Sequence, residues 1–591
     1  VTGVEARIGA SPATDAAAAL LAALVASGVE HVVLSPGSRS QALALVAAEL
    51  ERAGRIRLHV RIDERVAGFT ALGIGRETRR PAALVCTSGT AVANLLPAVL
   101  EAHHAGVPLL LLTADRPPEL RGVGANQTTR QPGLFAPHAR FDADLPVPDA
   151  VDPDGTAEQT AMLRAVAASA VAAAVGGPGR PAGPVHLNLP YREPLAGAAP
   201  AWLIGPAPGA ADEADAAEGS GALYQGGGGI GGGESAGAEE APHLLPRGPR
   251  TIVVAGADAG PAAEELAHEG GWPLVAEIVS GARFGRHLVH GYRDLLREDE
   301  LGGAVERVVV FGHPTLSREV AGLLSRTDVE VIAVRGPGEP LNLNGATTCV
   351  DGVRVGDGAA DREWLGRWMR ASAAASVDLS PPAPDADGLA SAEPHERLSA
   401  IAAEVAVLRT PLDRTGLVDA VWRATWPHDR LVLGSSRLVR VADAVLGGKK
   451  VSVHSNRGLA GIDGTVATAM GVALASQAEG RPGVTRVLLG DLALLHDVGA
   501  LLLPGAEAEP RIQVIVGNDG GGTIFDGLEV AAVAGTDAME RVLYTPQSAR
   551  LEHLAQAYEW EFHHVTTRSA LDQLLTAPVG GRQLIEVPLE R

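Results

Sequence analysis

The sequence predicts an α/β protein built from three doubly wound domains joined by two linkers. Three observations carry that reading. At 591 residues the chain is longer than one hydrophobic core can serve. Short apolar runs alternate with helix-patterned stretches, as in parallel sheets covered on both faces. The composition breaks twice, at 206–249 and at 379–392.

The first domain is assigned to residues 1–195. An Ala/Leu-rich helix over 15–26 leads into the apolar run His31–Leu34, which reads as a buried strand. Ser35-Pro36-Gly37-Ser38-Arg39-Ser40 then breaks the chain and caps a second helix. A strand over 58–62 is followed by a helix opening at Asp63-Glu64, where an acidic first turn suits the helix dipole. Strand Ala82–Cys86, a helix after Thr87-Ser88-Gly89-Thr90 and a strand over 109–113 continue the alternation. Residues 225–233 are nearly all glycine, so 196–249 reads as a flexible linker with too little apolar surface to offset its ordering entropy. A middle domain, 250–375, carries strands at Thr251–Ala255, 308–311 and 329–334. After a Pro/Asp/Ala linker, 376–395, the third domain (396–591) carries strands at 431–433, 484–489 and 512–517.

Charge excludes some functions. The formal net charge is −21, and the only lysines are Lys449 and Lys450. Such a field repels nucleic acid and anionic membrane, so neither is expected as a partner, and anionic substrates would require clustered arginines. No apolar run reaches the roughly 18 residues of a membrane span and no signal peptide opens the sequence, which predicts a cytoplasmic protein. Two cysteines, Cys86 and Cys349, make neither a disulfide framework nor a zinc site. Cys86 lies in an apolar run and reads as a small buried hydrophobe.

The most informative stretch is Gly490-Asp491-Leu492, followed 27 residues after Asp491 by Asn518-Asp519-Gly520-Gly521-Gly522. Both follow apolar strands, which puts Asp491 and Asn518 at the carboxyl ends of parallel strands, where α/β sheets bind ligands. A carboxylate, an amide oxygen and a backbone carbonyl are the hard donors that Mg²⁺ prefers, and the glycines admit phosphate to the backbone. Read singly, each end is an ordinary helix cap or turn. Together they resemble the thiamine-diphosphate fingerprint. That resemblance implies Asp491, Asn518 and the Gly520 carbonyl as metal ligands, with Gly490 beside the diphosphate. Leu492 departs from it, standing where many members have a small residue.

Further motifs occur in order. Ser35-Pro36-Gly37-Ser38-Arg39-Ser40, Asp63-Glu64-Arg65 and Thr87-Ser88-Gly89-Thr90 come first, then Thr113-Ala114-Asp115-Arg116-Pro117-Pro118-Glu119. Gly124-Ala125-Asn126-Gln127 and Arg130-Gln131-Pro132-Gly133 follow, and later Ser455-Asn456-Arg457-Gly458 with Gly461-Ile462-Asp463-Gly464. The set resembles the 2-succinyl-5-enolpyruvyl-6-hydroxy-3-cyclohexene-1-carboxylate synthase family over nearly the whole chain, and most weakly in the middle domain.

The resemblance implies a transferase that decarboxylates 2-oxoglutarate on thiamine diphosphate with Mg²⁺, for which Mn²⁺ can stand in. The remaining carbons add to isochorismate in a conjugate, Stetter-like step of menaquinone biosynthesis. It implies Glu64 as the acid that activates the aminopyrimidine, Gln127 beside the reacting centre, and Ile462 as the bulky residue that bends the cofactor. Ile524 and Phe525 would wall the site, although the loop 520–523 is one residue longer than in some relatives. Both substrates are dicarboxylates, so Arg39, Arg116, Arg440, Arg457 and Arg318 are the expected carboxylate binders. Ser38, Asn126 and Ser436 would add neutral hydrogen bonds. A homodimer, or a dimer of dimers, with composite active sites is expected.

Two alternatives stay open on sequence. One is another thiamine enzyme, such as acetolactate synthase or oxalyl-CoA decarboxylase, the former requiring a flavin-binding middle domain. The other is a noncatalytic anion-binding protein on the same fold. Ala255-Gly256-Ala257-Asp258-Ala259-Gly260 is not a proper dinucleotide fingerprint, so the middle domain reads as structural.

Overall fold

A computed structural model describes residues 11–149, 153–177, 179–203, 242–380 and 382–591. The Gly-rich stretch 225–233 lies outside the described residues. Three large parallel sheets and one two-stranded parallel pair organise the described residues. The first holds β1 (His31–Leu34), β2 (Arg57–Val60), β3 (Ala82–Cys86), β4 (Leu109–Asp115), β5 (Phe141–Asp144) and β6 (Pro184–Pro190) in the order β2-β1-β3-β4-β6-β5. In the middle, β7 (His243–Leu245) pairs with β13 (Val353–Val355), beside a sheet of β8 (Thr251–Ala255), β9 (Leu274–Ala276), β10 (Arg307–Phe311), β11 (Glu330–Val334) and β12 (Thr348–Val350). The last holds β14 (Arg430–Leu433), β15 (Ser452–His454), β16 (Thr485–Gly490), β17 (Ile512–Asn518), β18 (Glu561–His564) and β19 (Arg582–Pro588) in the order β15-β14-β16-β17-β19-β18.

The first and last sheets therefore share one topology. In each, the first strand sits second in the sheet and the chain reverses direction between the first and third strands. Such a reversal leaves a crevice at the carboxyl ends of the strands where ligands bind. In the first sheet the crevice lies between β1 and β3, and a Cβ on Gly37 would fall 2.3 Å from Thr87 Cβ, so only glycine lets the two loops meet. In the last it lies between β14 and β16, where a Cβ on Gly490 would stand 3.6 Å from Ser436 Cβ.

Continuous apolar strands form because both sheet faces are covered. Along β16, Val487 and Leu489 enter a core shared with the first domain, while Leu488 enters the opposite one, as the two-residue period requires. The shared core is assembled where helix Glu64–Thr78 packs on helix Thr465–Ser476. Helix Glu64–Thr78 is started by Asp63, whose carboxylate accepts from the Arg65 and Val66 amides at 2.8 and 3.3 Å.

Two expected linkers carry structure in their described parts. Leu203 closes a 3₁₀ turn over Ala201–Leu203 and is buried in the first core, and Leu245 of β7 is fully buried in the middle core. Within 376–395, Asp385 caps a short helix, Ala386–Ala390, which packs on helix Pro394–Leu408. No helix among the described residues is long and apolar enough to cross a membrane.

Candidate active site

The third-domain crevice gathers the proposed metal-binding residues. Asp491 is the first residue of the six-residue helix Asp491–His496 and is buried. Burial pushes its carboxyl up to about 6, and the nearby charge of Asp519 adds to the effect. Asn518 ends β17, where its amide nitrogen donates to Glu586 Oε1 at 2.6 Å and its oxygen accepts from the Gly520 amide at 3.2 Å. Gly520 (φ +74°) and Gly521 (φ +128°) take a backbone path that side chains disfavour. The Gly522 amide donates to the Tyr544 carbonyl at 2.8 Å, and a Cβ on Gly521 would fall 2.1 Å from that same oxygen. This contact sets the loop's register and carries Ile524 and Phe525 on the 3₁₀ turn Thr523–Gly527.

The residues fit a divalent metal with a diphosphate. A buried carboxylate whose pKa is raised for want of a countercharge, an amide oxygen and a carbonyl are a hard-oxygen set. The Gly520 carbonyl already faces a cation, accepting from Arg591 Nη2 at 3.1 Å.

The first-domain crevice gathers the other group. Arg39 is buried, with one Nη on the Tyr191 carbonyl at 3.1 Å and its Nε unpartnered. Ser38 beside it is exposed. Arg116 holds the Asn126 carbonyl at 3.2 and 3.0 Å, fixing the loop on which Asn126 and Gln127 stand exposed. Gln127 has φ +55°, and its amide donates to the Ser88 carbonyl at 3.0 Å. Glu64 stands at its helix start close enough to Cys86 that burial, and then the Glu64 charge, push that thiol up.

Arg318, Arg440, Ile524 and Phe525 line one cleft of about 760 Å³ between the middle and third domains. Ser436 begins helix Arg437–Val445, accepting from the Leu438 amide at 3.2 Å, while Arg440 donates to the Ser436 carbonyl at 3.0 Å. Burial, and then the charge of Arg293, lower the Arg440 pKa. Arg457 is buried, with Nε and Nη2 on Thr315 Oγ1 at 2.9 and 2.7 Å. Ile462 is 37% exposed on the turn before helix Thr465–Ser476. None of Ser38, Arg39, Glu64, Arg116, Asn126 and Gln127 lines the cleft that holds Arg440.

Sequence reasoning missed the buried acids behind this wall. Glu277 accepts from the Thr315 and Leu316 amides at 2.9 and 2.7 Å and so holds the loop that presents Arg318. Burial, with Asp443 close by, pushes the Glu277 carboxyl up. Glu101, in the first domain, accepts from the Gly458 and Leu459 amides at 2.8 and 2.9 Å, pinning the turn after Arg457. One local signal existed, since Asp443 lies three residues after Arg440 on the same helix.

Residues 14–134 match the family model described as "Thiamine pyrophosphate enzyme, N-terminal TPP binding domain". A benzoylformate decarboxylase structure from Polynucleobacter necessarius aligns with a TM-score of 0.62 at 14% identity, over 97% of this chain and 98% of that one, which speaks for the fold alone. A 2-succinyl-5-enolpyruvyl-6-hydroxy-3-cyclohexene-1-carboxylate synthase from Leifsonia xyli subsp. xyli is 54% identical, over 98% of this chain and 97% of its own length. The synthase of Clavibacter michiganensis subsp. michiganensis is 52% identical with the same coverage. That of Kineococcus radiotolerans is 44% identical over 98% of this chain and 96% of its own. The chain belongs to the 2-succinyl-5-enolpyruvyl-6-hydroxy-3-cyclohexene-1-carboxylate synthase family. This synthase family works with thiamine diphosphate and a divalent metal, usually Mg²⁺, which agrees with the hard-oxygen set at Asp491, Asn518 and Gly520. Membership separates the chain from acetolactate synthases and oxalyl-CoA decarboxylases, the nearest rivals on sequence.

Proposed function

We propose that this chain decarboxylates 2-oxoglutarate and joins the remaining four carbons to isochorismate, the synthase step of menaquinone biosynthesis. Full-length similarity to curated synthases carries the reading, at 54% identity over 98% of the chain. Asp491, Asn518 and the Gly520 carbonyl hold the metal, and Gly490 leaves room for the diphosphate. Thiamine diphosphate, when bound, supplies the carbanion chemistry that no side chain offers. Glu64 holds a proton at the aminopyrimidine end, Ile462 props the cofactor's shape, and Gln127 hydrogen-bonds near the reacting centre. Ile524 and Phe525 exclude water. Against a net charge of −21, substrate carboxylates need local guanidinium groups, and Arg39, Arg116, Arg318 and Arg440 are placed to meet them. Arg457, engaged on Thr315, acts at the base of that wall. Ser38, Asn126 and Ser436 complete the polar lining.

Within one chain none of the first-domain residues lines the Arg440 cleft. We therefore assign each active site to two copies, the first domain of one meeting the third domain of its partner. The apolar side chains beside both half-sites support this. Ile62, two residues before Glu64, is 72% exposed, Val123 is 67% exposed, and Leu459 is 54% exposed. Exposed apolar side chains of this kind suit burial in a two-fold homodimer, with further pairing into a dimer of dimers. The deciding assay follows isochorismate loss with 2-oxoglutarate, Mg²⁺ and thiamine diphosphate, omitting each in turn. Consumption that persists without 2-oxoglutarate or without the cofactor overturns the reading.

A further inference from the structure

The cleft that holds Arg318 and Arg440 is lined by two further arginines that none of the motifs contains, Arg293 and Arg297. Arg293 lies on the short helix Tyr292–Leu295 of the middle domain and lines the same cleft as Arg318, Arg440, Ile524 and Phe525. Its side chain is 25% exposed. One terminal nitrogen, Nη2, donates to Asp443 Oδ2 at 2.6 Å and lies 3.4 Å from the Leu316 carbonyl. Its Nε is buried without a partner. A guanidinium offers five N–H groups, so Nη1 remains for another acceptor.

Asp443 is itself fully committed. Its Oδ2 also accepts from the Tyr292 hydroxyl at 2.6 Å, and its Oδ1 accepts from the Ile278 amide at 2.8 Å with Arg283 at 3.6 Å. It therefore fixes Arg293 at the cleft wall, which both residues line. The other acids of the wall, Asp294 and Glu319, are both paired with Arg297. Arg293, Arg318 and Arg440 thus line one cleft in which each lining carboxylate, Asp294, Glu319 and Asp443, already has an arginine partner. Arg293 and Arg440 stand close enough to repel each other, a cost that an entering anion relieves.

We propose that Arg293 is a substrate-binding residue that takes a carboxylate of one of the two dicarboxylate substrates. The inference rests on the synthase reading and extends it to a residue outside the resemblance motifs. Losing a charge-assisted bond to a carboxylate weakens binding about ten- to a hundred-fold.

The test compares wild type, Arg293→Met and Arg293→Lys, measuring KM for 2-oxoglutarate, for isochorismate, and for 2-oxopentanoate, which lacks the distal carboxylate. Arg293→Met is expected to raise KM about ten- to a hundred-fold for one dicarboxylate and to leave the other near wild type. If that substrate is 2-oxoglutarate, 2-oxopentanoate is unaffected and the preference for the dicarboxylate shrinks by the same factor. If it is isochorismate, both 2-oxo acids keep their values. Arg293→Lys should recover part of the loss. KM values within twofold of wild type overturn the proposal. So does an equal loss on all three substrates with a lowered melting temperature, because that outcome makes the Arg293–Asp443 pair purely structural. Should the wild type turn over neither 2-oxo acid with isochorismate, the synthase reading falls. Calorimetry with unreactive glutarate then reads Arg293 alone, and affinity equal in wild type and Arg293→Met overturns the assignment as well.

Discussion

Gly73 and Gly471 meet where the first and third domains cross: a Cβ built on Gly471 would lie 3.0 Å from Gly73 Cα and 2.1 Å from the Thr70 carbonyl oxygen. The relation is reciprocal, since a Cβ on Gly73 would fall 2.0 Å from the Thr468 carbonyl oxygen. Backbone therefore touches backbone at this crossing. The two helices it joins begin at Glu64 and just after Ile462, so the crossing also sets where those residues stand.

Gly471→Ala should destabilise the protein, because the neighbour that the new Cβ meets is backbone and cannot swing aside. Overpacking of this kind costs about 1–3 kcal/mol. Gly322 is the control: it lies in helix Arg318–Leu324 with nothing within 4 Å of its would-be Cβ. Gly322→Ala should be neutral or stabilising by up to about 1 kcal/mol. Urea midpoints of the two variants that shift in the same direction and by the same amount would refute the close-contact argument.

Asp497 predicts a pH dependence of stability. It is buried, accepts from the Ala467 amide at 2.9 Å and has Arg65 at 3.8 Å. Burial pushes its carboxyl up to about 7, above the roughly 3.9 of an unfolded aspartate. The folded chain then holds this proton more tightly than the unfolded chain does. Its contribution to stability is fully present below about pH 4 and is lost as pH rises towards 7. Asp497→Asn keeps an acceptor for Ala467 and removes the titration. Relative to wild type, the variant should gain stability between pH 5 and pH 8, measured by urea unfolding at both. A difference that stays constant with pH disproves the assignment.

Asp491→Ala should lose metal and cofactor together, because the metal ties the diphosphate to the protein. Calorimetric titration of thiamine diphosphate with Mg²⁺ present is the measurement. Wild-type affinity in the variant would remove Asp491 from the ligand set.

What the sequence made legible is local. Asp491 and Asn518 could be placed at strand ends because β16 and β17 are buried on both faces and read as unbroken apolar runs. The start of helix Glu64–Thr78 was legible because Asp63 is a strong N-cap. Arg293 and Asp443 were not, since their contact joins residues 150 positions apart and no periodicity encodes it. The strand His243–Leu245 was hidden for the same reason: three residues pair with Val353–Val355 more than a hundred positions away, beside a stretch whose glycines signal a linker. Duplication of the β2-β1-β3-β4-β6-β5 order in the third domain is likewise a property of crossovers that local pattern does not reveal.

The last prediction tests the two-copy active site. Glu64 belongs to the first domain and Asp491 to the third, and a cofactor that needs both must touch them at opposite ends. If the partner's first domain completes the site, inactive Glu64→Gln chains and inactive Asp491→Ala chains should complement each other. In a mixed dimer one site receives both lesions, while the other receives intact Glu64 from one chain and intact Asp491 from the other. Random reassembly makes about half of the dimers mixed, each with one good site, so roughly a quarter of wild-type activity should return under two-fold symmetry. Were both residues to serve a site within one chain, every site would carry a lesion and mixing would restore nothing. The chains are dissociated, mixed and reassembled, with exchange followed independently by mass-tagged subunits. Confirmed exchange without recovered turnover would eliminate the composite site and return both residues to a single chain.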